Sequence, residues 1–134
     1  MTVLLDTHAA IWLATDDASF GKRSRALATQ ALASDQLAVA SISFWEIAML
    51  LAKGRLQAVM PPADLRARLL DTGINELVLT GEIALLAASL EALPGDPADR
   101  FIAATAIVHQ ATLVTADERL LGWKHALKRQ DATK

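Results

Sequence analysis

Short apolar runs at residues 3–5, 37–40, 76–79 and 113–115 alternate with stretches long enough for helices. This alternation limits the fold more than any other feature of the chain. A strand with one wet face alternates apolar and polar residues, whereas VLL, LAVA and TLV hardly alternate at all. Such strands are covered on both faces, as in parallel sheets flanked by helices. Strands and helices in strict succession predict βαβ units. The expected fold is therefore α/β, a three-layer α/β/α sandwich around a mostly parallel sheet. Helices are expected over 7–14, 23–34, 43–53, 63–71, 82–91, 98–109 and 118–121. Gly54 should stop the third, and Pro61-Pro62 should open the fourth. The tail, 123–134, reads as a short helix that frays. No repeat, linker or low-complexity stretch divides the 134 residues, so one domain is expected, with a short basic tail from about residue 124.

A parallel sheet gathers the C-terminal ends of its strands along one edge. Four acids stand at helix starts: Asp6, Glu46, Asp99 and Asp117, three of them after short apolar strands. Brought together they would repel one another unless a cation neutralised them, and hard oxygen donors suit Mg²⁺ or Mn²⁺. Each acid also has a structural role open to it. Asp6 can cap the first helix, although Thr7 can do so instead. Ser43 and Glu46 have the S-x-x-E spacing of a capping box, which is the stronger reading of Glu46 taken alone. Asp96 and Pro97 suit an N-cap and a first helical position, and Asp99 favours the same helix dipole. Asp117 can cap the helix after the last strand. Glu82 also follows a strand, so position alone nominates too many acids. Thr115 is placed to orient a carboxylate or a metal-bound water, and Arg100 to pair with an acid or a phosphate.

The remaining composition narrows the choice. With no cysteine, thiolate metal sites and disulfides are excluded. His8, His109 and His125 have no metal-binding spacing, and His8 reads as structural or supporting. A net charge of −2 disfavours a protein that merely coats nucleic acid. Basic clusters at Lys22/Arg23/Arg25, Lys53/Arg55, Arg66/Arg68 and Lys124/Lys128/Arg129 read as solvated helix faces. Trp12 and Trp45 are expected in the core, and Trp123 at the surface. The chain is 53% hydrophobic with mean hydropathy +0.31, which calls for a well-filled core or a core plus an apolar partner surface. Its apolar runs fall short of the ~20 residues that span a bilayer. No signal peptide is visible, and a cytoplasmic location is expected. Phosphate-binding glycine loops and the G-x-S-x-G elbow are missing.

LLDTHAAIWL, SISFWEIAMLLAKGRL, DPADRFIAATA and LVTADERLL together resemble the four blocks of PIN-domain ribonucleases. They are most similar to the VapC-type toxins of bacterial toxin–antitoxin modules. The resemblance runs from Met1 to about Leu121. It implies a PIN-like fold and a metal-dependent endoribonuclease whose acidic quartet is Asp6, Glu46, Asp99 and Asp117. Asp96 matches an additional acid of the D-P-x-D-R variant of the third block. It also implies Mg²⁺ or Mn²⁺, a homodimer, an RNA substrate, and a small antitoxin whose C-terminal segment lies across the active-site groove. One departure concerns the third block, which in many relatives carries a His and a longer loop. Here Leu93-Pro94-Gly95 leads directly to Asp96.

The chemistry is consistent with that family. Phosphodiester hydrolysis needs an activated water and neutralisation of the phosphoryl oxygens, and one or two bound Mg²⁺ ions supply both. Asp6 and Asp117 are expected as direct ligands, with Glu46 and Asp99 completing the shell directly or through water. Single-stranded or looped RNA is the expected substrate, because a splayed strand reaches a recessed site. A phosphotransferase or phosphatase of the haloacid-dehalogenase type would need an Asp two residues after Asp6, where His8 stands. A receiver-like domain would need a Lys after the last strand, and TLVTADE has none. A PIN-like module that binds metal or RNA without catalysis is the remaining alternative.

Overall fold

The computed structural model describes residues 1–56, 60–93 and 96–134. The sheet contains β1 (Val3–Leu5), β2 (Leu37–Ala40), β3 (Asn75–Leu77), β4 (Thr112–Thr115) and β5 (Arg129–Asp131). Their order is β3-β2-β1-β4-β5, and every neighbouring pair is parallel. Seven helices accompany them among the described residues: α1 (Thr7–Thr15), α2 (Lys22–Ala33), α3 (Ser41–Ala52), α4 (Pro62–Asp71), α5 (Gly81–Ser89), α6 (Pro97–Val108) and α7 (Glu118–Leu121).

The continuous apolar character of the strands is explained by two cores, one on each face of the sheet. Val3, Leu5, Leu37, Val39 and Val114 meet Ala9, Ile11, Phe20, Leu65 and Leu69 on one face. Leu4, Ala38, Ala40 and Leu113 meet Ile102, Ala103, Ala106 and Trp123 on the other. α5 adds an outer layer, packing Ile83 and Ala87 on Ala104 of α6. Arg100 ties that layer down. Its guanidinium donates to the carbonyls of Ala87, Ala88, Leu90 and Leu93. The expected pairing of Arg100 with an acid or phosphate is therefore replaced by a clamp on the backbone after α5.

Most predicted elements form within one or two residues of their expected limits, and Gly54 stops α3 with a left-handed φ of +67°. The tail is the main correction. In place of a fraying helix, Arg129–Asp131 forms the parallel edge strand β5 beside β4. Its polar side chains carry no strand signal. The strand is held instead by its ladder, by Ser24 Oγ donating to the Asp131 carbonyl, and by Arg129 donating to the carbonyls of Leu120, Trp123 and His125. The tryptophans also exchange places. Trp123 is buried and donates to the Glu91 carbonyl, whereas Trp45 is half exposed. The shortened loop before Asp96 includes Pro94 and Gly95, which lie outside the described residues.

Candidate functional site

The chain order of the sheet reverses between β1 and β4, since β2 and β3 continue to one side of β1 and β5 lies beyond β4. In open parallel sheets ligands bind in the crevice beyond the strand ends at such a point. A cavity of about 380 Å³ opens there. It is lined by Asp6, Glu46, Asp96, Asp99 and Asp117, together with Thr7, His8, Trp12 and Arg119. The five acids nominated from sequence thus meet in one place. Glu82 does not join them, and lies exposed in the first turn of α5. A larger cavity of about 670 Å³ lies at the opposite end of the sheet, beside Met1, Gln36, His109 and His125. It contains none of these carboxylates.

Asp6 is 7% exposed and immediately follows β1. One of its oxygens caps α1 by accepting from the Ala9 amide at 2.9 Å. The other accepts from the Thr115 hydroxyl at 2.5 Å. Thr7 therefore does not cap α1. Burial pushes the Asp6 carboxyl above its usual range, against the opposing hydrogen bonds from Thr115 and Ala9. The fully buried Thr115 hydroxyl in turn accepts from the Asp117 amide at 3.1 Å, so one hydroxyl ties the ends of β1 and β4 together. Thr115→Val would leave a buried carboxylate oxygen without its donor. The variant is expected to lose about 1–3 kcal/mol of stability, read by denaturant unfolding.

Glu46 reaches the site for a reason other than capping. α3 begins at Ser41 with no side-chain cap, so the predicted box does not form. Ser43 is buried and accepts a hydrogen bond from Thr7 Oγ1 at 3.1 Å, docking α3 against α1. Glu46, three residues on, shares that side of the helix and lines the cavity.

Asp99 and Asp117 form the electrostatic centre. Asp96 caps α6 with one oxygen, and Asp99 lies in the first turn of that helix. Burial first, and then the charges of Asp117, Glu46 and Asp96, push the Asp99 carboxyl up to about 7. Asp117 caps α7 by accepting from the Arg119 amide at 2.8 Å. Burial works against its ionisation, but hydrogen bonds from the Arg119 side chain and backbone hold it below the usual range. The Arg119 Nη2 donates to Asp117 Oδ2 at 3.0 Å and to Asp99 Oδ2 at 3.2 Å. Sequence reasoning missed Arg119. Its only signal was a position two residues after Asp117, where a cation reads as ordinary surface charge.

The raised Asp99 carboxyl sets a pH dependence. Between its ordinary value of 3.8 and about 7 the folded state holds a proton that the unfolded state has released. Stability contributed by that proton is complete below about 4 and is lost as pH rises through about 7. Asp117 has the opposite sign, and its contribution disappears only as pH falls below the ordinary carboxylate range. In EDTA, the melting temperature is expected to fall from pH 5 to pH 8, and Asp99→Asn should flatten that slope.

The donors are hard oxygens from carboxylates alone, and their mutual repulsion raises Asp99, so their chemistry suits a divalent cation. Among the described residues no three acidic or histidine groups are yet drawn closely enough together to hold one ion. Two of the carboxylates are engaged by Arg119 instead.

This is the arrangement of an α/β protein with an acidic, cation-demanding crevice at its topological switch point. The PIN domain family model matches residues 3–123, and the chain belongs to that family. It is 40% identical over 126 residues to ribonuclease VapC22 of Mycobacterium tuberculosis, covering 92% of this chain and 93% of that protein. The fold is shared with the DNA-bound VapBC of Salmonella typhimurium (TM-score 0.68, 17% identity, 98% of both chains). It is also shared with a toxin–antitoxin complex from Klebsiella pneumoniae (TM-score 0.59, 23% identity, 92% of this chain and 93% of that one).

Proposed function

We propose that this protein is a metal-dependent endoribonuclease, the VapC-type toxin of a toxin–antitoxin pair. The observation that carries the reading is the meeting of Asp6, Glu46, Asp99 and Asp117, from four separate elements, in one cavity at the β1/β4 switch. The 40% identity to a VapC ribonuclease supports the same activity. Asp6 and Asp117 would hold Mg²⁺ or Mn²⁺ directly, with Glu46 and Asp99 completing the shell and Asp96 at its rim. When bound, such an ion lowers the pKa of a water and neutralises phosphoryl oxygens.

The chain's own residues prepare the reaction. Thr115 and the Ala9 amide fix both oxygens of Asp6, so little reorganisation remains when substrate arrives. The Asp99 carboxyl, pushed up to about 7, shares its population between the neutral and charged forms near neutral pH, which lessens the repulsion in the cavity without removing it. His8 and Trp12, with ring centroids 6.4 Å apart, line the cavity beside the acids.

No described helix is long and apolar enough to cross a membrane. A cytoplasmic location is consistent with a toxin that cuts RNA. The similarity to a toxin–antitoxin complex supports a small antitoxin partner. Homodimerisation is favoured by the exposed apolar side chains Trp45, Val78, Leu79 and Leu85.

The decisive experiment incubates purified protein with single-stranded and hairpin RNA. Cleavage is expected with Mg²⁺ or Mn²⁺, should stop with EDTA and should resume when the ion is restored. Ion-dependent RNA binding without cleavage would favour a binding module and overturn the enzyme assignment.

A further inference from the structure

Arg119 bridges Asp99 and Asp117 within the acid-lined cavity at the strand ends. The side chain belongs to the first turn of α7, and about half of it is exposed. Its Nη2 contacts Asp99 and Asp117 together, and its Nε is 3.3 Å from the second Asp117 oxygen. A guanidinium is planar, permanently charged and shaped for carboxylates, so these are directed, charge-assisted bonds. They engage three of the four oxygens of the two acids, with the Arg119 amide adding a second bond on Asp117 Oδ1. An ion ligated by Asp117 and supported by Asp99 would have to share this space with a permanent positive charge that bridges both carboxylates. The exposed side of the guanidinium leaves it free to swing outward, whereas Asp6 is pinned from both sides and cannot adapt.

We propose that Arg119 is a positioning residue that serves as the internal counter-cation of the Asp99–Asp117 pair and is displaced from it by the divalent ion. In the ion-free protein it keeps two repelling carboxylates in place. When the ion enters, the released guanidinium lies at the cavity rim, where it can meet the phosphates of RNA. The protein would thus exchange one cation for another, with the acids never left uncompensated. This inference rests on the metal-site reading given above.

The test measures ion binding directly. Mn²⁺ is titrated calorimetrically into wild type, Arg119→Gln and Arg119→Lys, with the Nε–H resonance of Arg119 followed by ¹⁵N NMR during a Mg²⁺ titration of wild type. Arg119→Gln is expected to bind Mn²⁺ about tenfold more tightly, the size of effect that loss of a forked, charge-assisted competitor would give. Arg119→Lys keeps the charge but loses the fork, and should fall between the two. The Arg119 Nε–H signal should move toward that of a solvated arginine as Mg²⁺ saturates. Ion binding with an unmoved Arg119 resonance, or equal affinity in wild type and Arg119→Gln, would overturn displacement while leaving the metal site standing. Failure of all three proteins to bind either ion would overturn the metal-site reading and this proposal with it.

Discussion

Asp6→Asn is expected to remove RNA cleavage, by about a thousandfold or more, while the protein stays folded. The two halves of this result have separate causes. In the proposed site, activity would depend on a carboxylate charge at the end of β1, in the cavity that Glu46, Asp99 and Asp117 also line. An amide of the same shape cannot supply that charge. Stability depends on other properties of the same side chain. The Asn carbonyl can still accept from the Ala9 amide, and Asn is as good an N-cap as Asp. Burial already disfavours the Asp6 charge, so a neutral residue relieves a cost. Against this, the amide NH2 that replaces the second oxygen faces the Thr115 hydroxyl, which must turn from donor to acceptor, so the melting temperature should hold or fall by only a few degrees. Cleavage of labelled RNA and thermal unfolding measured on one preparation check both halves, and undiminished cleavage would remove Asp6 from the site.

The second large effect concerns the edge of the sheet. Gly21→Ala is expected to destabilise the protein by about 2–3 kcal/mol, from overpacking and lost hydrogen bonds together. Gly21 has an ordinary φ of −72°, so conformational freedom is not the reason for glycine here. Close approach is, because an added Cβ would overlap the backbone of Lys134. Gly21 also donates to the Ala132 carbonyl, and the Ser24 amide donates to Lys134 at the start of α2. Pushing residues 132–134 away would break these bonds and loosen β5, which they follow. The melting temperature should drop by roughly 10 °C, and amide exchange should quicken first in β5. A normal melting temperature with unchanged exchange in β5 would show that the tail contributes little.

The acids could be nominated in sequence because strand ends and helix starts follow from local patterns, and the resemblance of four blocks to one family set Glu82 aside. Their environments could not. The S-x-x-E spacing of Ser43 and Glu46 suggested a cap, yet α3 starts two residues earlier and Ser43 is buried against Thr7. Local pattern left the cap of α1 open between Asp6 and Thr7, and the fold gives it to one oxygen of Asp6 while the other faces Thr115. Arg100 and Arg119 are both cations near Asp99 in the folded protein or the chain. One clamps backbone carbonyls and the other bridges two carboxylates, a difference set by which groups happen to surround each. Trp45 and Trp123 show the same limit, since helical spacing says which face a side chain is on but not whether another element covers it.

By itself the sequence determined the layered parallel architecture and the family blocks, and it nominated the acids that the fold brings into one cavity. The architecture rests on periodicity and composition, which act over a few residues, and the choice of acids on the resemblance of the four blocks to one family. The tertiary structure alone decided that a polar tail would become the edge strand β5, that Thr115 would join the ends of β1 and β4, and that Arg119 would stand between Asp99 and Asp117. The Thr115–Asp6 bond spans 109 positions and the Arg119–Asp99 contact spans 20. Such pairings are fixed when elements pack and buried polar groups must find partners, and no local pattern encodes which partner each will find.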